Sequence, residues 1–137
     1  MKKFFLFVLI FATLSNVAAS QFILNKDVDG LQFFTKWGHE KWFSKKSPKV
    51  LLVKIVNTTD VAIEFDFGVE FFMDLLLVEE SKPKAYCLSA GKTLLPRVSG
   101  LVFKPESVEP DSLDSYELSG LEIKKAISKD CSVIDKE

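Results

Sequence analysis

Asn25, Asp27, Asp29 and Gly30, in the run NKDVDG, place oxygen-bearing side chains at alternate positions, as the opening of a calcium loop does. Calcium takes about six to eight oxygen ligands, and an EF-hand loop supplies a bidentate glutamate at its twelfth position. Counted from Asn25, that position is Lys36, a cation where an anion is needed. Asp followed by Gly also favours a tight turn. The run is therefore expected to be a turn before a strand starting at Leu31, and no metal or other cofactor is expected.

Glu64, Asp66 and Glu70 share one parity of the stretch VAIEFDFGVEFF. Carboxylates at i and i+2 on a strand face stand about 6.8 Å apart, a separation that glycosidase acid pairs use. Catalysis needs one acid held protonated in a cleft, whereas acids on the outer parity of an alternating strand are ordinarily solvated. A hydrolase using Glu64 and Asp66 is accordingly a second alternative. His39 is the only histidine, which excludes zinc sites and acid–base pairs built on two histidines. A cysteine–histidine pair would have to bring Cys87 or Cys131 to His39. No nucleophile-elbow pattern and no glycine-rich phosphate loop is present.

KWGHEKWFSKKSPK interleaves Trp37, Trp42 and Phe43 with Lys36, Lys41, Lys45 and Lys46. Large aromatics near a loop anchor partners or stack on sugar rings. Trp37, Lys41, Trp42 and Phe43 are the candidate binding residues, with a carbohydrate-binding module on Trp37, Trp42 and Phe43 as the first alternative. The opposing expectation is that Trp37 ends a core strand and Trp42 caps the domain. Asn57 heads an N-T-T sequon, although glycosylation is not expected behind a bacterial-looking leader.

These residues must be positioned by what surrounds them. Residues 1–20 have a basic start at Lys2 and Lys3, a short apolar core from Phe4 to Ala12, and small residues at Ala18, Ala19 and Ser20. That is the pattern of a cleaved signal peptide, and its apolar core is shorter than the roughly 20 residues that span a bilayer. Export, periplasmic or secreted, is the expected location, with no membrane span after cleavage. Loss of Lys2 and Lys3 takes the basic residues from 18 to 16 against 19 acids, a formal charge of −3. Such a chain offers no footprint for nucleic acid. In an exported chain, Cys87 and Cys131 are expected to form one disulfide.

Periodicity of two dominates residues 21–126, with 127–137 read as a polar tail. Leu51, Val53 and Ile55 share one parity of KVLLVKIV, and Val61, Ile63, Phe65, Phe67, Val69 and Phe71 share one parity of the next run. Both read as half-buried strands, joined by NTTD as a hairpin that would set Lys54 opposite Glu64. Gly68 is the expected place of a bulge or bend. Further strands are expected at 31–37, 75–80, 85–88, 92–98, 100–104 and 116–126, with a short helical turn in 105–115. Seven or eight short strands and no long helix predict an antiparallel β-sandwich.

VKIVNTTDVAIEF, CLSAGKTL and GLVFKP, spanning about residues 49–105, resemble the strand-turn-strand pattern of small exported bacterial proteins with an immunoglobulin-like β-sandwich. Ala90 stands where that pattern usually has proline. The resemblance implies the sandwich and export, and it transfers no catalytic residue. The combined expectation is an exported, non-catalytic interaction module with a protein or glycan partner in the envelope or outside the cell.

Overall fold

The computed structural model describes residues 21–126 and 128–131. Its strands are β1 (Ile23–Val28), β2 (Leu31–His39), β3 (Lys49–Asn57), β4 (Ile63–Met73), β5 (Leu76–Glu80), β6 (Lys84–Leu88), β7 (Thr93–Leu94), β8 (Val102–Phe103) and β9 (Ser115–Lys125). A single 3₁₀ turn, Pro110–Ser112, interrupts the long connection before β9. The proposed signal peptide lies outside the described residues. Among the described residues, no helix is long and apolar enough to cross a membrane.

Two antiparallel sheets pack in a sandwich-like arrangement. In the first, β1, β2 and β3 are neighbours, and the short β7 and β8 share the far edge of β3. In the second, β4 is central: β9 runs along one edge, while β5 and then β6 occupy the other. The alternating runs do what their parity requires. Leu51, Val53 and Ile55 from β3 meet Ile63, Phe65, Phe67, Val69 and Phe71 from β4 in one buried cluster, which Leu31 and Phe33 of β2, Leu88 of β6, Leu118 of β9 and Leu101 complete. Phe33 packs edge-on against Phe65 and Phe67, centroids 5.9 and 5.5 Å apart, an arrangement that adds to the area term.

The expected β3–β4 hairpin does not form. The two strands lie in different sheets, so residues 58–62 are an arch crossing the sandwich. Lys54 consequently does not face Glu64. Its ammonium sits over Phe34 and Phe22, at 4.6 and 5.1 Å from the ring centroids, while Glu64 registers with Cys87 and Lys124. Asn57 holds the arch. Its amide nitrogen donates to Val61 O, Leu88 O and Ser89 O at 2.8, 2.9 and 3.2 Å. Its carbonyl accepts from Thr59 N at 2.9 Å and lies 2.7 Å from Thr59 Oγ1.

NKDVDG is also narrower as a turn than expected. Residues 25–28 belong to β1, and only Asp29 and Gly30 turn, both with positive φ, as a two-residue type I′ hairpin requires. The register shift near Gly68 is real, but the extra residue lies on the partner strand. Asp66 opposes Glu122 and Gly68 opposes Ser119, so the bulge is in β9 at Gly120, where φ is +59°.

Gly68 serves a different purpose, because a Cβ built there would lie 2.5 Å from the backbone oxygen of Ser81. That close approach lets Ser81 bond both polar groups of Val69, N–H to Oγ at 2.7 Å and O from N–H at 2.8 Å. Gly68→Ala is expected to cost about 1–3 kcal/mol. The check is urea unfolding, in which the midpoint should fall without a change in slope; an unaltered midpoint would show that the connection yields freely.

Candidate functional site

The connection from β2 to β3 leaves two large aromatic side chains unburied. His39 pairs with Lys49 at the base of this loop, and Glu40 N donates to Pro48 O at 2.8 Å. His39 Nδ1 lies 2.9 Å from Ser47 O, so the histidine is engaged in closing the loop. Ser47 Oγ accepts from Lys41 N at 3.0 Å and donates to Ser44 O at 2.8 Å. From outside the loop, the Arg97 guanidinium donates to the carbonyls of His39 and Glu40.

Within that frame Ser44 N donates to Lys41 O at 3.0 Å, which makes Trp42 and Phe43 the two corner residues of a β-turn. Gly, Pro, Asn, Asp and Ser are the usual corner residues, for steric and hydrogen-bonding reasons that neither aromatic can exploit. Trp42 is 80% exposed and Phe43 72% exposed, with their rings perpendicular and 5.7 Å apart. Lys41, Lys45 and Lys46 are exposed around them, and none of the three forms an ion pair among the described residues.

The structure brings Lys41, Trp42 and Phe43 together and separates Trp37 from them. Trp37 follows Leu31, Phe33 and Thr35 on the inner parity of β2, half-buried against Phe71 and Tyr116 at centroid distances of 6.2 and 5.8 Å. The parity of LQFFTKW already carried that placement. A sugar stacked on Trp42 would meet Phe43 edge-on, so the two rings do not make one flat platform.

The outer-face acids gather in a different place. An open groove of about 440 Å³ on the second sheet is lined by Glu64, Asp66, Tyr86, Cys87, Glu122 and Lys124, with Cys131 at its edge. Asp66 registers with Glu122 and Glu64 with Lys124. Burial against Phe65 and Phe67 pushes the Tyr86 phenol above its ordinary value near 10. Sequence reasoning did not anticipate Glu122 and Lys124 beside Glu64 and Asp66, because that pairing depends on β9 returning to β4 more than 50 residues later. Among the described residues, no group of three or more His, Cys, Asp or Glu is arranged to hold a metal ion. A second hollow, about 580 Å³, lies beside the aromatic loop and mixes Lys46, Lys49 and Lys104 with Glu106 and Glu109.

Cys87 and Cys131 are joined in a disulfide. They are the only cysteines of the chain, so no thiol is left to work with His39. No protein-family model matches the chain, nor does any curated protein or solved structure.

Proposed function

We propose that the chain is an exported, non-catalytic interaction module, an immunoglobulin-like sandwich that meets its partner through Lys41, Trp42 and Phe43. The observation that carries this reading is the exposure of Trp42 and Phe43 at the corners of a turn closed by its own hydrogen bonds. Burying an aromatic side chain is worth about 1.5–3 kcal/mol, and here that gain is left unused by the fold. A loop already held in one shape also loses little entropy on contact. Export is supported by the leader pattern of residues 1–20 and, weakly, by the disulfide.

A second reading, a hydrolase using Glu64 and Asp66, is favoured by the groove that collects those acids with Glu122. It predicts a hydrolytic activity that Glu64→Gln or Asp66→Asn abolishes and Trp42→Ala leaves intact.

The test of the favoured reading is site-specific photo-crosslinking in the cells that produce the protein. A photoreactive residue in place of Lys45 should give a discrete adduct that disappears when Trp42→Ala and Phe43→Ala are added. The same residue in place of Lys92, at the opposite end of the sandwich, should give none. Equal yields from both positions, or no adduct from either, would overturn the reading.

A further inference from the structure

Resting on that reading, we infer that the partner is an anionic lipid surface, engaged by two apolar tips at one end of the sandwich. The first tip is Trp42–Phe43. The second is the β4–β5 turn, where Leu75 is 88% and Leu76 69% exposed. The two tips lie at the same end because β3 starts where the aromatic loop closes and β4 runs back antiparallel to it across the arch. The segment 110–114 ties them together, through an ion pair from Lys49 to Asp111 and a hydrogen bond from Asp74 N to Asp114.

Leu75 is an unexpected residue for its position. Asp74 and Leu75 are the central pair of a two-residue turn, with φ of +52° and +64°. The left-handed region costs an ordinary L-residue about 1–2 kcal/mol and glycine almost nothing. The chain thus holds a leucine where glycine would be cheaper in strain, and then exposes it to water. An apolar medium at this end of the molecule accounts for both features.

Charge selects the kind of medium. Lys41, Lys45 and Lys46 surround the aromatic tip on a chain whose charge without residues 1–20 is −3. Of the acids nearby, Glu40 lies 4.0 Å from Lys104, Asp111 pairs with Lys49 and Asp114 accepts from Asp74 N. Glu106 and Glu109 line the hollow next to Lys46 and form no ion pair among the described residues. Asp74 is the acid of the second tip itself. Lysines near an anionic bilayer contribute about 1 kcal/mol each, and tryptophan settles at headgroup depth, where its ring is buried and its N–H stays solvated. Two separate convex tips suit a deformable surface that meets both at once. A protein pocket fitted to Trp42 would give no role to Leu75.

The protein, expressed with its own leader and recovered after export, is sedimented with vesicles of phosphatidylcholine alone and of phosphatidylcholine with phosphatidylglycerol. It should bind only the anionic vesicles, more weakly as salt rises, with a blue shift in emission that Trp42→Phe removes. Lys41→Gln, Lys45→Gln and Lys46→Gln should each weaken binding about fivefold, and all three together about a hundredfold. Trp42→Ala with Phe43→Ala should weaken it at least about a hundredfold, and Leu75→Gly up to about tenfold, while Leu75→Gly leaves or raises the melting temperature. No binding, equal binding to neutral vesicles, or binding that survives loss of both aromatics in a folded variant would overturn the inference. A protein or glycan adduct from position 45 combined with no vesicle binding would sink the lipid partner and leave the interaction module standing.

Discussion

Replacing Asn57 with aspartate is expected to destabilise the protein by about 3–5 kcal/mol, the range for an uncompensated buried charge. Asn57 is 1% exposed, and its amide hydrogens are shared among three backbone carbonyls. An aspartate of the same shape would turn an acceptor oxygen toward those carbonyls and leave them without a donor. The contacts from Thr59 to the other side-chain oxygen would survive. Asn57→Ala removes the donor without adding charge, and each buried group it strands costs about 1–3 kcal/mol. The aspartate variant should therefore be the worse at neutral pH. Its deficit should shrink in acid, where a protonated carboxyl can donate one of the lost bonds. Denaturant unfolding of both variants at neutral and acid pH decides the matter. Equal losses at all pH values would mean that Asn57 matters through packing alone.

The same geometry settles what the sequon can do. A glycan on Asn57 would replace an amide hydrogen that the arch uses, at a site without solvent access. Asn57 of the folded chain is thus a structural residue, and the threonine two positions on serves it as a hydrogen-bond partner rather than as a sequon.

How far the sequence carried depended on the range over which each signal acts. Inner and outer faces of β3 and β4 were legible because burial on one side imposes a period of two on Leu51, Val53 and Ile55, and on Ile63 through Phe71. Whether those strands pair or cross was not legible. An apolar face fits either arrangement, and Asn-Thr-Thr-Asp can make a hairpin or an arch. The deciding contacts run from Asn57 to Leu88 and Ser89, more than 30 residues away. β1 was missed because it is an edge strand. With one side open to water it tolerates Asn25, Lys26 and Asp27, and it is further broken by a register shift between Leu24 and Lys26. Lys26 reaches across to Leu118 O at 3.2 Å, so its charge also guards the open edge of β9.

At the aromatic loop, sequence named Lys41, Trp42 and Phe43 because apolar residues among lysines have no parity to obey. It added Trp37 because composition alone does not distinguish a strand's last inner residue from a loop's first exposed one. The acidic groove was half legible: Glu64 and Asp66 follow from one strand, but Glu122 and Lys124 follow only from the register of β9. That register is shifted by the bulge at Gly120, whose place inside the strand pattern YELSGLEIKKA is a bulge signal that a single strand cannot convert into a register with β4.

Removing the Cys87–Cys131 disulfide is expected to lower stability by about 3–4 kcal/mol. The bridge closes a loop of 44 residues, and loop-closure entropy assigns a loop of that length about 4 kcal/mol as an upper-side value. For a domain of this size the loss corresponds to a fall in melting temperature on the order of 15 °C. Where the effect begins is set by the segment that the bridge fastens. Ala62 N donates to Ser128 O and Ala90 N to Lys129 O, both at 2.9 Å, while Cys131 N donates to Ser89 Oγ at 3.2 Å. Those bonds lay the segment over the start of β4 and the end of β6, next to the arch that Asn57 holds. In Cys87→Ala/Cys131→Ala the amides of Ala62 and Ala90 should lose exchange protection first, followed by Asn57 N, which donates to Lys92 O in the adjoining loop. Amides at the centre of β3 should be affected only through the global equilibrium. Calorimetry and hydrogen exchange on the same variant separate two cases. A lowered melting temperature with faster exchange throughout means that the bridge stabilises the whole sandwich. An unchanged melting temperature with exchange confined to Ala62 and Ala90 would mean that the core stands without it and that the disulfide secures only residues 128–131 and their side of the acidic groove.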